Sequence, residues 1–420
     1  MTFSVDHLRV FLQNTPAQAY CVAYSGGLDS TVLLHACVQL GLTPLRAIHI
    51  HHGLSQHADD WAQHCQQQAQ LLGIECVVQR VNLNLLSGES VEAQAREARY
   101  AAFAHLLQTH EALLTAHHLE DQAETVLLQL LRGSGPAGLA AMAAQSQFAK
   151  GYLLRPLLTQ ARADLQRYAQ QLNVSWVEDD SNSALRFDRN YVRHQVWPLF
   201  TARWPSAATS VARSAQWMAE ADSLLNELAA QDLSTLLSEQ GLAIAPLQQL
   251  NEPRQRNVLR YWLQQAQLAV PGHAQLASLL QQLDAASDRQ IEINWRGGRI
   301  RRYQQHLVAD ANAAMSEAPF GIWQLQENWP LGEGRVLRRE DLLAAGLRIP
   351  PEIQQLQVAQ RQGGERIHLQ GHAHRHSLKK LLQTRQIPPW QRDQLLLLFH
   401  QQTLVAVWGM SPPLIGEWPN

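Results

Sequence analysis

Six residues near the start of the chain, Ser25-Gly26-Gly27-Leu28-Asp29-Ser30, have the types and spacing needed to hold phosphate groups. They follow the apolar run 19–24 and precede an apolar segment, so we expect a strand to end at the glycine pair and a helix to begin there. A helix N-terminus carries free N–H groups and a partial positive charge. Two glycines permit close backbone approach and positive φ, while the serine hydroxyls and the Asp29 carboxylate add polar ligands. The alternative is a tight strand–helix turn without a ligand.

This loop is not a Walker A motif, because it lacks the lysine of G-x-x-x-x-G-K-S/T. It instead resembles the PP-loop of N-type ATP pyrophosphatases, which cleave ATP between the α and β phosphates. The resemblance implies that ATP binds at six positions. These are Ser25, Gly26, Gly27, Leu28, Asp29 and Ser30.

A second cluster with chemical potential is the acidic segment 116–125, which follows a predicted strand. Asp121 and Glu124 are three residues apart, so both carboxylates face one side of the helix expected there. Paired carboxylates beside a phosphate loop suit a magnesium-bound triphosphate. We therefore predict Asp29, Asp121 and Glu124 as magnesium ligands. An acidic first turn that only complements the helix dipole is the alternative.

Histidines are concentrated at two predicted strand ends, 49–52 and 117–118. This pattern raises the possibility of zinc, but no cysteine or acid is spaced to complete a tetrahedral site. We expect instead that His51 and His118 line the nucleotide pocket and form hydrogen bonds to the base or ribose.

The elements that position these groups alternate between strand and helix patterns. Strands are predicted at 19–24, 45–50, 74–81 and 112–116, and helices at 59–72 and 91–109. This alternation predicts a parallel sheet covered by helices, with the ligand at the carboxyl ends of the strands. The fold class is therefore α/β, beginning with a Rossmann-like PP-loop domain.

Beyond residue 200 the pattern changes, with long helical periodicity over 207–237 and a strand-like run at 403–408. We predict a mainly helical second domain and a small mixed α/β C-terminal domain. The expected boundaries are 1–212, 213–312 and 313–420, with the C-terminal core at about 351–420. The small, polar segment 312–319 is the expected hinge.

Composition limits the class of protein. No signal peptide or 18-residue apolar span is recognised, and the four cysteines form no C-x-x-C pair, which is typical of a reducing compartment; we expect a cytoplasmic protein with no membrane partner. The net charge of −2 taken alone argues against a nucleic-acid partner. Two stretches, 289–302 and 361–385, are nevertheless basic enough to bind phosphates locally, or to form ordinary solvated faces.

Several motifs occur in an order that resembles the bacterial tRNA(Ile)-lysidine synthase family over nearly the whole chain. They are Ser25–Ser30, His49–Leu54, Arg96–Tyr100, His117–Met142, Arg155–Leu158, Trp176–Asn182, Arg189–Arg193, Gly363–Arg366, Leu378–Leu382 and Ile387–Asp393. Glu120 departs from the family, which usually has Asp there. The His-rich segment 371–376 also departs, since Gly, Lys and Arg are expected; phosphate contact there would be weaker or pH-dependent.

The resemblance implies an enzyme that uses ATP and Mg²⁺ to join free lysine to C2 of the wobble cytidine in an isoleucine tRNA with a CAU anticodon. The intermediate is an adenylated cytidine, and the products are lysidine, AMP and pyrophosphate. Asp29, Asp121, Arg189 and Arg193 are the expected catalytic residues, and Arg99 is expected to contact the nucleotide. The expected tRNA-binding residues are Arg366, Arg375, Lys379 and Lys380. A homodimer is left open.

Three alternatives stay open at this point. Arg189 and Arg193 can be surface residues paired with the acidic run 178–180, which can equally hold the lysine ammonium. A second PP-loop tRNA modifier, a thiolation enzyme, normally needs paired cysteines, and none is present. A non-catalytic RNA-binding or nucleotide-sensing protein would be expected to have a degenerate loop, whereas this loop is intact.

Overall fold

The computed structural model describes residues 3–53, 55, 57–82, 91–178, 184–283, 291–311, 320–332 and 334–418. The chain divides into two compact units, Met1–Glu227 and Leu228–Asn420. The predicted hinge at 312–319 lies outside the described residues. Among the described helices, none combines the length and apolar character needed to cross a membrane.

The first unit is built on a six-stranded sheet with strand order β3-β2-β1-β4-β6-β5, in which only β5 is antiparallel to its neighbour. Its strands are β1 Ala19–Ala23, β2 Leu45–His51, β3 Glu75–Arg80, β4 Glu111–Leu114, β5 Gln145–Phe148 and β6 Gly151–Leu154. Its helices are α1 Val5–Leu12, α2 Leu28–Gln39, α3 Ala58–Leu71, α4 Val91–Leu106, α5 Leu119–Leu131, α6 Pro136–Leu139, α7 Arg162–Gln171, α8 Asp188–Tyr191 and α9 Trp197–Arg203, with a π-helical turn at Val192–Val196 between α8 and α9. Helix α10, Ala207–Leu236, begins in the first unit and ends in the second.

Apolar runs place the central strands in the core, because a parallel sheet is covered by helices on both faces. Cys21 and Val22 of β1 and Leu113 and Leu114 of β4 are fully buried. The predicted α/β class with a parallel N-terminal sheet is confirmed. The carboxyl ends of β1 and β4 are adjacent, so the residues that follow them meet at one edge.

A buried ion pair ties β2 to β4 below this edge. Arg46 donates from Nε and Nη2 to the two carboxylate oxygens of Glu111, both at 2.7 Å, and Nη2 also donates to the Leu106 carbonyl oxygen at 2.8 Å. The Glu111 side chain is 2% exposed.

Glu111→Gln is expected to destabilise the first unit by about 3–5 kcal/mol, because it leaves the Arg46 guanidinium without its counter-charge. Thermal and denaturant unfolding measure the change. The matched control is Asp6→Asn, which breaks the exposed Arg9–Asp6 pair and should shift stability by less than about 1 kcal/mol. Equal effects of the two substitutions would contradict the prediction.

The second unit contains three sheets together with the predicted helical region. A five-stranded sheet, order β7-β8-β11-β10-β9, packs with three helices. Its elements are β7 Leu237–Ser238, β8 Gly241–Ala243, α11 Ile244–Gln249, α12 Glu252–Gln265, α13 His273–Leu283, β9 Glu292–Trp295, β10 Gly298–Tyr303 and β11 His306–Asp310.

The basic stretch 289–302 enters this sheet, and two of its charges turn inward. Arg301 and Arg302 are 6% and 9% exposed. Arg299 and Arg301 both pair with Asp310, and the Arg301 guanidinium lies 3.9 Å from the Trp390 ring centroid. These arginines therefore stabilise the fold instead of forming a phosphate-binding face.

The C-terminal part is a mixed α/β assembly around a seven-stranded sheet, order β12-β15-β18-β19-β16-β17 with β20 on β19. Its elements are β12 Gly321–Gln324, β13 Trp329–Gly332, β14 Arg335–Leu337, α14 Arg339–Ala344, β15 Gln355–Gln360, β16 Arg366–Ile367, β17 His376–Ser377, α15 Leu378–Thr384, α16 Pro389–Arg392, β18 Leu396–His400, β19 Thr403–Trp408 and β20 Leu414–Ile415. The strand predicted at 403–408 coincides with β19.

Candidate active site

The glycine loop connects β1 to α2 and is held by its own side chains. Ser25 and Ser30 place their hydroxyl oxygens 3.0 Å apart, and the Ser30 hydroxyl donates to the Gly27 carbonyl oxygen at 3.0 Å. The first hydrogen bond of α2 runs from the Thr31 N–H to the same carbonyl oxygen. The N–H groups of the three residues before Thr31 therefore point out of the helix end, where a phosphate would lie. Leu28 offers only its backbone here, because its side chain is buried in the core.

Only one of the two loop glycines adopts positive φ, which corrects the expectation that both do. Gly26 has φ +84°, and a Cβ there would lie 2.9 Å from Cys65 Sγ of α3. Gly27 has φ −75°, and its nearest neighbour would be at 3.6 Å.

Gly26→Ala is expected to lower stability by about 1–2 kcal/mol and to weaken ATP binding, because alanine resists this backbone conformation. Gly27→Ala, the matched control one residue away, should cost only about 0.5 kcal/mol of stability. Thermal unfolding and calorimetric ATP titration of the two variants measure these effects. Indistinguishable stabilities would contradict the assignment of the strain to Gly26.

Asp29, which follows β1, and His118, which follows β4, are in contact at the edge of the sheet. Asp29, in the first turn of α2, has its Oδ2 3.8 Å from Nε2 of His118 and 3.7 Å from Nε of Arg162. Its Oδ1 is buried without a hydrogen-bond partner. Burial raises the pKa of Asp29, so this carboxylate is held at a cost that a bound cation would offset.

His118 caps α5 and is surrounded by acids. Its Nδ1 lies 3.0 Å from Glu120 Oε2, its Nε2 lies 3.3 Å from Asp121 Oδ2, and its N–H donates to the same Asp121 oxygen at 3.1 Å. Burial alone would lower its pKa, but the Glu120 hydrogen bond and the charges of Asp121 and Asp29 raise it overall. Glu120, the departure from the family pattern, therefore orients His118 and also accepts from the Arg162 N–H at 3.0 Å.

The two arginines pair with the acids of α5, which differs from the alternative that they pair with 178–180. Arg193 donates from Nε to Glu124 Oε1 (2.8 Å) and from Nη2 to Asp121 Oδ1 (2.7 Å) and Glu124 Oε2 (2.9 Å). Arg189 donates from Nε to Glu124 Oε2 (3.3 Å) and from Nη2 to the Thr125 hydroxyl (2.9 Å). Residues 179 and 180 lie outside the described part of the chain.

These pairs bear on the role predicted for Glu124. It is 1% exposed, and both carboxylate oxygens accept from guanidinium groups. Both oxygens of Glu124 therefore position the guanidinium groups of Arg189 and Arg193. The hydrogen bond to Glu124 outweighs burial and raises the pKa of Arg193, and the charge of His118, followed by that of Arg189, outweighs burial and lowers the pKa of Asp121.

Two residues predicted to contact the nucleotide, His51 and Arg99, make other contacts in the structure. His51, buried at the end of β2, places Nε2 3.2 Å from Asp59 Oδ1, and Asp59 also pairs with Arg80. Arg99 is exposed on α4, with its guanidinium carbon 6.0 Å from the Tyr100 ring centroid. For the zinc alternative, the described residues contain no group of three or more ligating side chains able to hold a metal ion.

Sequence reasoning missed three residues near the site. Arg162 contacts Asp29, as described above, and Arg96 and Arg155 lie close enough to influence His117 electrostatically. Burial is the main cause that lowers the pKa of His117 to about 3, so this histidine is neutral. Arg155 follows the apolar strand β6 directly, so its position at the carboxyl edge was the signal that could have revealed it.

The four residues predicted to bind tRNA, Arg366, Arg375, Lys379 and Lys380, are all exposed. Arg366 donates to the Arg375 carbonyl oxygen at 2.9 Å, which links β16 to the start of β17, and the lysines lie on α15.

A phosphate-binding glycine loop after β1, with carboxylates and arginines after β4, defines the class of PP-loop ATP pyrophosphatases. The sequence profile of the PP-loop domain matches residues 2–200, and those of the TilS substrate binding domain and the TilS substrate C-terminal domain match residues 242–308 and 356–411.

Full-length relatives narrow this class to one family. The chain is 46% identical to the tRNA(Ile)-lysidine synthase of Alkalilimnicola ehrlichii, over 93% of this chain and 89% of the relative, and 42% identical to that of Coxiella burnetii, over 97% and 92%. The chain belongs to the tRNA(Ile)-lysidine synthase family, and it is an ATP-dependent tRNA-modifying enzyme.

Among solved structures, the tRNA thiolase NcsA of Methanococcus maripaludis is similar at 16% identity, with a TM-score of 0.44 over 51% of this chain and 77% of that one.

Proposed function

We propose that this enzyme ligates free lysine to C2 of the wobble cytidine of the isoleucine tRNA with a CAU anticodon, in two steps. The C2 carbonyl oxygen attacks the α-phosphorus of ATP, and pyrophosphate leaves. The lysine ε-amine then attacks C2, and AMP leaves with that oxygen. The observation that carries the proposal is the meeting of the PP-loop, Asp29, His118, Asp121 and the two arginines at one sheet edge.

In the first step the protein must bind a triphosphate and stabilise the charge on its leaving group. The open N–H groups of α2 supply dipoles that are already oriented, so little reorganisation is needed as charge develops. Arg189 and Arg193 present guanidinium groups that Glu124 and Asp121 hold in place. We propose that these arginines contact the phosphates, since a planar fork suits phosphate oxygens.

Of the three predicted magnesium ligands, Asp29 has the most suitable surroundings. The buried, unpartnered Oδ1 of Asp29 is an oxygen ligand of the type that Mg²⁺ prefers. Asp121 Oδ2 lies 3.3 Å from His118 Nε2, the same ring nitrogen that faces Asp29, and Asp121 Oδ1 accepts from Arg193. We propose that Asp29 and Asp121 hold a magnesium ion that neutralises phosphate charge, and that Glu124 acts on the arginines.

We further propose that the C-terminal region positions tRNA, as the family of the chain and the exposure of its four basic residues support. The division into domains 1–212, 213–312 and 313–420 is part of this proposal, supported by the three matched regions. A homodimer and a cytoplasmic location stay predictions.

Replacing Arg366, Arg375, Lys379 and Lys380 together by Gln should weaken tRNA binding and flatten its salt dependence. Phosphate contacts release counterions, so the slope should fall by about 0.9 log unit for each lost duplex contact. Labelled-tRNA titrations at several salt concentrations measure this, and calorimetric ATP affinity should be unchanged. The control replaces Lys150 by Gln in the first unit. An unchanged slope in the quadruple variant would show that these side chains do not contact tRNA.

Pyrophosphate release with combinations of tRNA, ATP and lysine tests the proposed reaction. We expect release to require tRNA and ATP, and lysidine to form only when lysine is added. A thiolation enzyme would need reactive cysteines, but three of the four are buried, and burial raises the pKa of the fourth, Cys76, to about 11. A fully modified tRNA that forms without added lysine would overturn the proposal.

A further inference from the structure

Arg155 is a buried cation for which the described residues provide no counter-ion. It directly follows β6 and is 8% exposed. Nη1 donates to the Ala143 carbonyl oxygen at 2.6 Å and the Tyr100 hydroxyl is a further partner, but Nε is buried with no acceptor. In the described part of the chain its guanidinium forms no ion pair. Burying a guanidinium without a counter-ion costs free energy, and a bound anion would offset this cost.

The surroundings increase the need for an anion. Arg96 adds a second positive charge nearby, and burial together with this charge lowers the pKa of Arg155 despite the favourable Tyr100 contact. The nearby His117 is neutral and carries no negative charge that could pair with Arg155. Since the described residues supply no anion, a ligand carboxylate or phosphate fits this position.

The position in the sheet distinguishes between these ligands. The loop that binds ATP phosphates follows β1, and β4 lies between β1 and β6, so Arg155 starts two strands away, or roughly 10 Å. An extended lysine spans roughly 7 Å from its ε-nitrogen to its carboxylate. A carboxylate held beside β6 would direct the amine toward the strand ends where Asp29 and Asp121 lie.

We propose that Arg155 binds the α-carboxylate of the amino-acid substrate, with Arg96 supporting the local positive potential. This inference rests on the proposed function, and it assigns one end of the lysine site. A carboxylate oxygen would accept from Nε, the donor that has no partner among the described residues. The site would therefore select α-amino acids over simple amines.

The test compares lysine with 1,5-diaminopentane, which has the same reactive amine but no carboxylate. The wild-type enzyme is expected to use lysine with a kcat/KM roughly 10–100-fold higher. Arg155→Met should remove most of this preference by raising the KM for lysine, while tRNA adenylation without lysine and the KM values for ATP and tRNA stay at wild-type levels. Arg155→Lys, which keeps the charge but loses the fork, should retain part of the preference.

Arg9→Met is the control, since it removes an exposed, paired arginine of the same unit and should leave the preference intact. A wild-type enzyme without preference for lysine would overturn the inference, even if Arg155→Met does not fold. So would a raised KM for ATP or tRNA in Arg155→Met, which would assign the anion to a phosphate. If wild-type protein makes no lysine-dependent product at all, the proposed function itself fails, which is a different result.

Discussion

Asp29→Asn lowers the rate of tRNA adenylation by about 10²–10³-fold, in our expectation, while the protein stays folded. Asp29 has a buried oxygen without a partner and lies between the phosphate loop and His118. Loss of one preorganised electrostatic group at a reacting phosphate typically has an effect of this size. Since burial raises the pKa of Asp29, the fold disfavours its ionised form, and the neutral amide should not reduce thermal stability.

Single-turnover pyrophosphate release and thermal unfolding measure the two quantities separately. Asp60→Asn is the matched control, because Asp60 is also an acid in the first turn of a helix that follows a strand, but it is exposed. It should keep wild-type turnover. Near-normal turnover of Asp29→Asn would mean that Asp29 only complements the helix dipole.

Arg193→Lys is expected to lower the same rate by roughly 10²-fold, and Arg189→Lys by roughly 10-fold. Arg193 spans Asp121 and Glu124 with three hydrogen bonds of 2.7–2.9 Å, whereas Arg189 reaches Glu124 only at 3.3 Å. A lysine ammonium cannot reproduce the planar fork that makes these contacts together. The ordering of the two variants is therefore part of the prediction.

Steady-state kinetics with ATP and tRNA varied in turn measure the effect. Arg203→Lys, at the end of α9 with its guanidinium carbon 5.8 Å from the Trp204 ring centroid, serves as the control. Wild-type kinetics in both Arg189→Lys and Arg193→Lys would reduce the two arginines to structural partners of α5.

Sequence patterns predicted the parts of the site that are local in the chain. Gly26 and Asp29 lie at a strand–helix junction, and the spacing of Asp121 and Glu124 places them on one helix face. The pairing of Arg193 with those acids was not predictable, since about 70 residues separate them and spacing carries no information on contacts at that range. For the same reason, the acidic run at 178–180 looked like the nearer partner.

The fold shows the same limit. The strands β1 to β4 are apolar runs, and their predicted positions agree with the structure to within two residues. The five-stranded sheet of the second unit was not predicted, because its strand β10 contains Arg299, Arg301 and Arg302 and therefore looks exposed in the sequence. Its charges are compensated by Asp310 of β11 and by the ring of Trp390, both from outside the strand.

The most direct test of the central claim uses ATP labelled at the α-phosphate, with purified enzyme, magnesium and the CAU-anticodon isoleucine transcript. Without lysine, we predict that label becomes attached to the tRNA while pyrophosphate is released. Addition of lysine should then release the label as AMP and leave lysidine at the wobble position. If label never reaches the tRNA, or if lysine fails to release it, the assignment of this site to cytidine adenylation is wrong.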